Sequence, residues 1–172
     1  MTTLPVPPIA LSDYPFGLWV RTRRKALGLT QKELSQRSEV PQSHISAIEN
    51  NRRSPSRAET EALHQSLAAE PLQIVENHRD RIREVFSTYG LSDVAVFGST
   101  VKGTATTDSD IDFLATAEKP VGLLAVVRLE RELEVLLSFP VDVVVHNLRL
   151  SDGSTSNPPD GFVPARKEAL PL

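Results

Sequence analysis

The sequence predicts a two-domain chain: an all-α unit over residues 1–70, then a small α/β (α+β) unit over 71–172. Three observations support this. Up to residue 69 the apolar residues recur at helical spacing, punctuated by Gly28, Pro41 and Pro55. Beyond residue 90, the short apolar runs 94–97, 111–115 and 141–145 have the length and β-branched content of buried strands. Charge changes as well: residues 1–70 hold nine Lys/Arg against seven Asp/Glu, whereas 71–172 hold ten against fifteen.

In the first half, residues 16–27 have amphipathic spacing and stop at Gly28, a C-cap residue. Thr30 caps a second helix over 31–37, with Glu33 placed for a capping box and Leu34 facing inward. After a short turn, Pro41 sits in the first turn of a third helix, about 41–50, with Ile45 and Ile48 inward. Residues 57–68 give a fourth, with Ala58, Ala62, Leu63 and Leu67 inward. Trp19 reads as core. Residues 21–53 carry eight basic against three acidic side chains, which suggests a polyanion partner or a solvated helix face.

In the second half, Pro71 opens a helix over 71–89 that buries Ile74, Ile82, Val85, Phe86 and Tyr89 and ends at Gly90. Another amphipathic helix spans 123–137. Its expected inward residues include Leu124, Val127, Leu133 and Leu137, and the charged run 128–134 is its wet face.

Chemistry concentrates in residues 94–113. The run 94–97 ends in Gly98-Ser99, and a glycine at a strand-to-helix junction lets backbone N–H groups approach a phosphate. Ten residues later come Asp110 and Asp112, whose spacing on a strand points both carboxylates to one face. Two such groups repel unless a cation lies between them, and hard oxygen donors favour Mg²⁺ or Mn²⁺. Asp142 is a lone charge in the apolar run 141–145, expensive in a buried strand unless paired or metal-bound. Beside the Asp110/Asp112 strand it would complete a carboxylate triad able to hold two metal ions for in-line phosphoryl or nucleotidyl transfer. Taken singly, Gly98-Ser99 reads as a turn, 108–110 as a loop start and Asp142 as a strand-edge residue. Their joint order on strand-like runs favours the site.

The stretch VAVFGSTVKGTATTDSDIDF at 94–113 resembles the signature of the minimal nucleotidyltransferases of the DNA polymerase β superfamily. The resemblance implies a mixed sheet, Asp110, Asp112 and Asp142 as catalytic and metal-binding carboxylates, and Gly98, Ser99, Lys102 and Ser109 at the nucleotide. It implies Mg²⁺, two ions, and ATP as substrate. Lys102 departs from the arginine of many relatives and keeps charge without a bidentate fork. Residues 151–161 read as an insertion, and the tail 165–172 as the helix-like end of such a domain.

The string GLTQKELSQRSEVPQSHISAIENNR at 28–52 resembles the helix-turn-helix of the Xre/Cro and phage-repressor class. That resemblance places Gln42, Ser43 and Ser46 at the base-facing start of the recognition helix. Gln31, Asn50 and Arg52 come at phosphates, and Gln42 opposite adenine. His44 is divided between solvent and DNA. Arg24 and Glu49 resemble a structural pair tying the first helix to the recognition helix. Relatives bind as dimers, so a homodimer or a hetero-oligomer with a partner is implied.

Together the two resemblances imply a DNA-binding, Mg²⁺-dependent protein adenylyltransferase. It would be the antitoxin of a toxin–antitoxin pair, transferring AMP from ATP to a HEPN-family toxin and repressing its own operon at operator DNA. The alternatives are a regulator with a catalytically silent nucleotide-sensing domain and a small-molecule (drug) transferase. With no cysteine, thiol catalysis, disulfides and zinc-thiolate sites are excluded. No apolar run suits a membrane span and no secretory signal is evident, so a cytoplasmic location is expected.

Overall fold

A computed structural model describes residues 15–105, 109–149 and 168–172. They fall into two compact units, one holding the first four helices and the other most of the chain from Glu70 on.

The first unit is all-helical: α1 (Phe16–Ala26), α2 (Gln31–Ser38), α3 (Gln42–Glu49) and α4 (Arg57–Ser66). Thr30 accepts from the Glu33 amide while Glu33 reaches back to the Thr30 amide, the expected capping box. An identical box joins Ser56 and Glu59 at the start of α4. Each is worth about 1 kcal/mol. The α2–α3 turn passes through Glu39 at φ 58, and Pro41 precedes α3 as its N-cap instead of lying inside it. The core is Val20, Leu29, Leu34, Val40, Ile45, Ile48, Leu63 and Leu67, with Trp19 partly buried against it. Gly17 lets α1 touch α3: a Cβ there would sit 2.0 Å from the Ile48 carbonyl oxygen.

The second unit opens with α5 (Pro71–Asn77) and α6 (Arg79–Thr88), then β1 (Leu91–Phe97), α7 (Ser99–Lys102), β2 (Ile111–Gly122), α8 (Leu123–Leu137), β3 (Val141–Arg149) and β4 (Leu170–Pro171). Its four strands are ordered β3-β2-β1-β4, with β2/β3 parallel and the other two pairs antiparallel, so the sheet is mixed. Phe86 of α6 packs on Phe113 of β2, ring centroids 5.5 Å apart.

Several expectations are corrected. The single helix over 71–89 is two, broken at His78 (φ −111, ψ 12), where Asn77-His78 is a pair of weak helix formers. The end of the chain is not helical at 170–171, which instead form a strand beside Ala95 and Val96. Residues 151–161 and 165–167 lie outside the described residues. Along α8 the buried stripe is Val126, Leu129, Leu133 and Leu137, whereas Leu124 is 76% exposed and Val127 is also exposed. At 3.6 residues per turn, Leu124 and Val127 point away from that stripe. Ala58 is exposed in α4 for the same reason. Nor is 128–134 uniformly wet: Glu134 is buried, paired with Arg131 at 2.7 Å, and Glu130 is half-buried. Among the described residues no helix is long and apolar enough to cross a membrane.

Candidate functional site

Strand register sets two of the three expected carboxylates, Asp112 and Asp142, on paired positions. Asp112 is the second residue of β2 and pairs with Phe97 on one side and Asp142 on the other. Asp110 lies two residues earlier, just outside β2, where its carbonyl accepts a 3.4 Å hydrogen bond from Thr100 of α7. The Ile111 amide donates to the Pro140 carbonyl at 2.9 Å, binding the starts of β2 and β3 together. Asp110 and Asp142 are exposed and Asp112 is half-buried. Asp142 therefore stands at the solvent-facing start of an edge strand, and the burial cost expected from its apolar neighbours is not incurred. Burial raises the Asp112 carboxyl above its ordinary range, and the negative charges of Asp142 and Asp110 raise it further.

Gly98 fits this arrangement closely. It turns β1 into α7 at φ 72, ψ −146, a conformation essentially restricted to glycine. A Cβ there would lie 2.3 Å from Asp112 Oδ2. Gly98→Ala is expected to displace the Asp112 carboxylate and to cut nucleotidyl transfer by about a hundredfold. A steady-state rate within a few-fold of wild type would show that the close approach is not needed.

Ser99 begins α7, whose first amides have no partner within the helix. Lys102 ends it, with Nζ 3.4 Å from Glu168 Oε2, so its charge is shared with a carboxylate that the sequence did not single out. Ser109 is half-buried beside Asp110. Three carboxylates on neighbouring backbone positions are the hard oxygen donors that a Mg²⁺-class cation takes, and their mutual repulsion is what such a cation relieves. Among the described residues no three acidic or imidazole groups already form a closed metal cage. Glu130 of α8 is also close: its Oε1 accepts the Val143 amide at 3.2 Å, and Asp142 is near enough to help raise its carboxyl, chiefly raised by burial.

In the helical unit the expected Arg24–Glu49 pair is present and bidentate, at 2.6 Å and 2.9 Å, while Arg24 also donates to the Leu29 carbonyl at 2.7 Å. Gln42 and Ser43 are exposed at the start of α3, with Ser46 half-buried one turn on. Arg52 is exposed beyond the helix. Three predicted DNA contacts are engaged inside the protein. Gln31 donates to Glu49 at 2.9 Å, and Asn50 Nδ2 to the Ser46 carbonyl at 2.7 Å. His44 Nδ1 lies 2.9 Å from Glu59 Oε1. Glu59 also accepts from Arg53 at 2.8 Å and from the Ser56 amide at 2.8 Å. Arg53 first, then that amide, hold its carboxyl well below the usual range. The sequence reading missed this cluster, which the capping-box spacing of Ser56 and Glu59 could have revealed.

Residues 75–162 match the family model described as a nucleotidyltransferase domain, and residues 20–67 one described as helix-turn-helix. The protein adenylyltransferase MntA of Thermococcus cleftensis is 42% identical over 72 residues, covering 42% of this chain and 70% of that protein. A solved minimal nucleotidyltransferase, provisionally so named, is 33% identical and overlays 59% of this chain and 95% of its own, with a TM-score of 0.47. A solved toxin–antitoxin structure with AMP-PNP is 28% identical over 38% of this chain and 55% of its own, with a TM-score of 0.36.

Proposed function

This chain belongs to the nucleotidyltransferase domain family and carries a helix-turn-helix ahead of that domain, and on that premise we propose that it transfers AMP from ATP to a hydroxyl of a partner protein and binds operator DNA. The observation that carries the enzymatic half is Asp112, set in register with Asp142 and pressed against Gly98 at the β1–α7 junction. A divalent cation held by Asp110, Asp112 and Asp142, Mg²⁺ and in two sites, would neutralise charge developing on the transferring phosphoryl group.

The chain's own groups have distinct tasks. Gly98, Ser99 and the first amides of α7 receive the β- and γ-phosphates, with Lys102 adding positive charge and Ser109, next to Asp110, also reaching the nucleotide. Asp142, exposed on the edge strand, takes the proton of the acceptor hydroxyl, a tyrosine or serine side chain. The hydroxyl oxygen then bonds to the α-phosphorus, the α–β P–O bond breaks, and pyrophosphate leaves. The protein-adenylyltransferase name of the Thermococcus relative supports a protein acceptor over a drug. Gln42, Ser43 and Ser46 face the bases, and Arg52 the backbone phosphates. Gln31, Asn50 and His44 would serve DNA only by leaving their present partners.

Such a pairing of transferase and repressor head suits the antitoxin of a toxin–antitoxin operon, with a HEPN-family toxin as acceptor. The test is incubation with ATP labelled at the α-phosphate, Mg²⁺ and the product of the adjacent gene, alongside a mobility shift on the chain's own promoter. Label on the neighbour and a specific shift are expected. Nucleotide binding with no label on any acceptor would indicate a silent sensor instead, and label on a free drug alone a small-molecule transferase.

A further inference from the structure

We propose that Glu130 is a positioning residue for the transferase centre, holding the start of β3 so that Asp142 stays opposite Asp112. β3 is an edge strand of the described sheet, so one row of its backbone groups lacks a strand partner. Glu130 supplies one from α8, its Oε1 accepting the amide of Val143, the residue directly after Asp142, at 3.2 Å. Val143 is buried while Asp142 is exposed, so this contact anchors the strand where its neighbour leaves the protein surface. A carboxylate accepting a backbone amide makes a charge-assisted hydrogen bond, stronger than a neutral one. On the other side β3 is held by β2 through the parallel register Ile111–Val141, Asp112–Asp142 and Phe113–Val143. Glu130 thus closes a clamp around the backbone that carries Asp142. Its bond is to the strand backbone, and it acts through strand placement.

The inference rests on Asp142 belonging to the catalytic centre, and the experiment separates the two. Full-length wild type, Glu130→Ala, Glu130→Gln, Glu130→Asp and Asp142→Asn are compared by Val143 amide exchange in metal-free protein, by Mn²⁺ binding followed by electron paramagnetic resonance, and by transfer kinetics. Glu130→Ala is expected to speed Val143 exchange and to weaken Mn²⁺ binding about tenfold or more with the fold retained by circular dichroism. Glu130→Gln keeps an acceptor oxygen at the same reach without the charge, and should fall between wild type and Glu130→Ala in both. Equal weakening in Glu130→Gln and Glu130→Ala would assign the effect to charge and overturn the positioning role. So would wild-type exchange and Mn²⁺ binding in Glu130→Ala. If Glu130→Ala does not fold, Glu130→Asp carries the test: its carboxylate is one methylene short, and wild-type behaviour there would overturn the proposal. Asp142→Asn with undiminished Mn²⁺ binding and transfer would instead remove Asp142 from the centre, whatever Glu130 does to Val143.

Discussion

Replacing Asp112 by asparagine is expected to lower nucleotidyl transfer about a thousandfold or more while leaving promoter binding intact. Asp112 lies between Asp110 and Asp142 in the backbone arrangement and against Gly98, so its charge is central to any cation the site takes. Loss of several kcal/mol of transition-state stabilisation corresponds to a rate loss of that size. Transfer of label at the wild-type rate by Asp112→Asn would sink the assignment of this cluster. The same variant has a second, opposite signature in stability. Burial and two neighbouring carboxylates raise the folded-state pKa of Asp112, so its favourable contribution is full below the ordinary carboxylate range and is lost as pH rises through the raised value. At neutral pH the cation-free cluster is therefore repulsive. Asp112→Asn should melt higher than wild type at pH 7 without divalent cations, and Mg²⁺ should raise the wild-type melting temperature more than that of the variant. Thermal scans with and without Mg²⁺ check both.

Arg24→Ala is expected to abolish DNA binding by unfolding the helical unit. The Arg24 side chain is 11% exposed and that of Glu49 2%, and the pair is bidentate. Removing one partner of a buried pair costs about 3–5 kcal/mol, because the remaining charge stays buried with inadequate compensation. Gln31 offers Glu49 one further neutral donor, which cannot replace a guanidinium. A unit this small has little stability to lose. Lysine should not rescue, since one ammonium cannot reproduce the fork that also reaches the Leu29 carbonyl. An apolar pair, Arg24→Met with Glu49→Leu, should restore the melting temperature. An unchanged melt and a wild-type mobility shift for Arg24→Ala would show the pair to be dispensable.

Local signals account for what could be read without coordinates. Helix ends were legible where a side chain caps the backbone, as at Thr30 and Glu33, because that interaction spans only three residues. The Gly98, Asp110 and Asp112 pattern was legible as a spacing along the chain, although β2 starts at Ile111 and leaves Asp110 just outside the strand on which both carboxylates were expected. The break at His78 follows local propensity, and the other errors originate in tertiary packing. Which arc of α8 is buried depends on what it meets, so Leu124 and Val127, apolar and helical in spacing, lie outside it. The break at His78 separates two helices whose apolar pattern runs on across it. Residues 170–171 become a strand because β1 offers an open edge.

From the sequence alone came the chemistry: a glycine turn, three aspartates, a family signature and a helix-turn-helix whose Arg24 and Glu49 were matched before any distance was known. Short-range spacing and residue type suffice for these, since each acts through its own backbone neighbourhood. Only the tertiary structure set Asp142 beside Asp112, brought Gly98 within a Cβ's reach of a carboxylate, drew Gln31 and His44 onto internal partners, and carried Glu130 from a helix to the Val143 amide. Those contacts join residues distant along the chain. They exist because strand register and helix docking are decided by burial of the whole core, which no local pattern specifies.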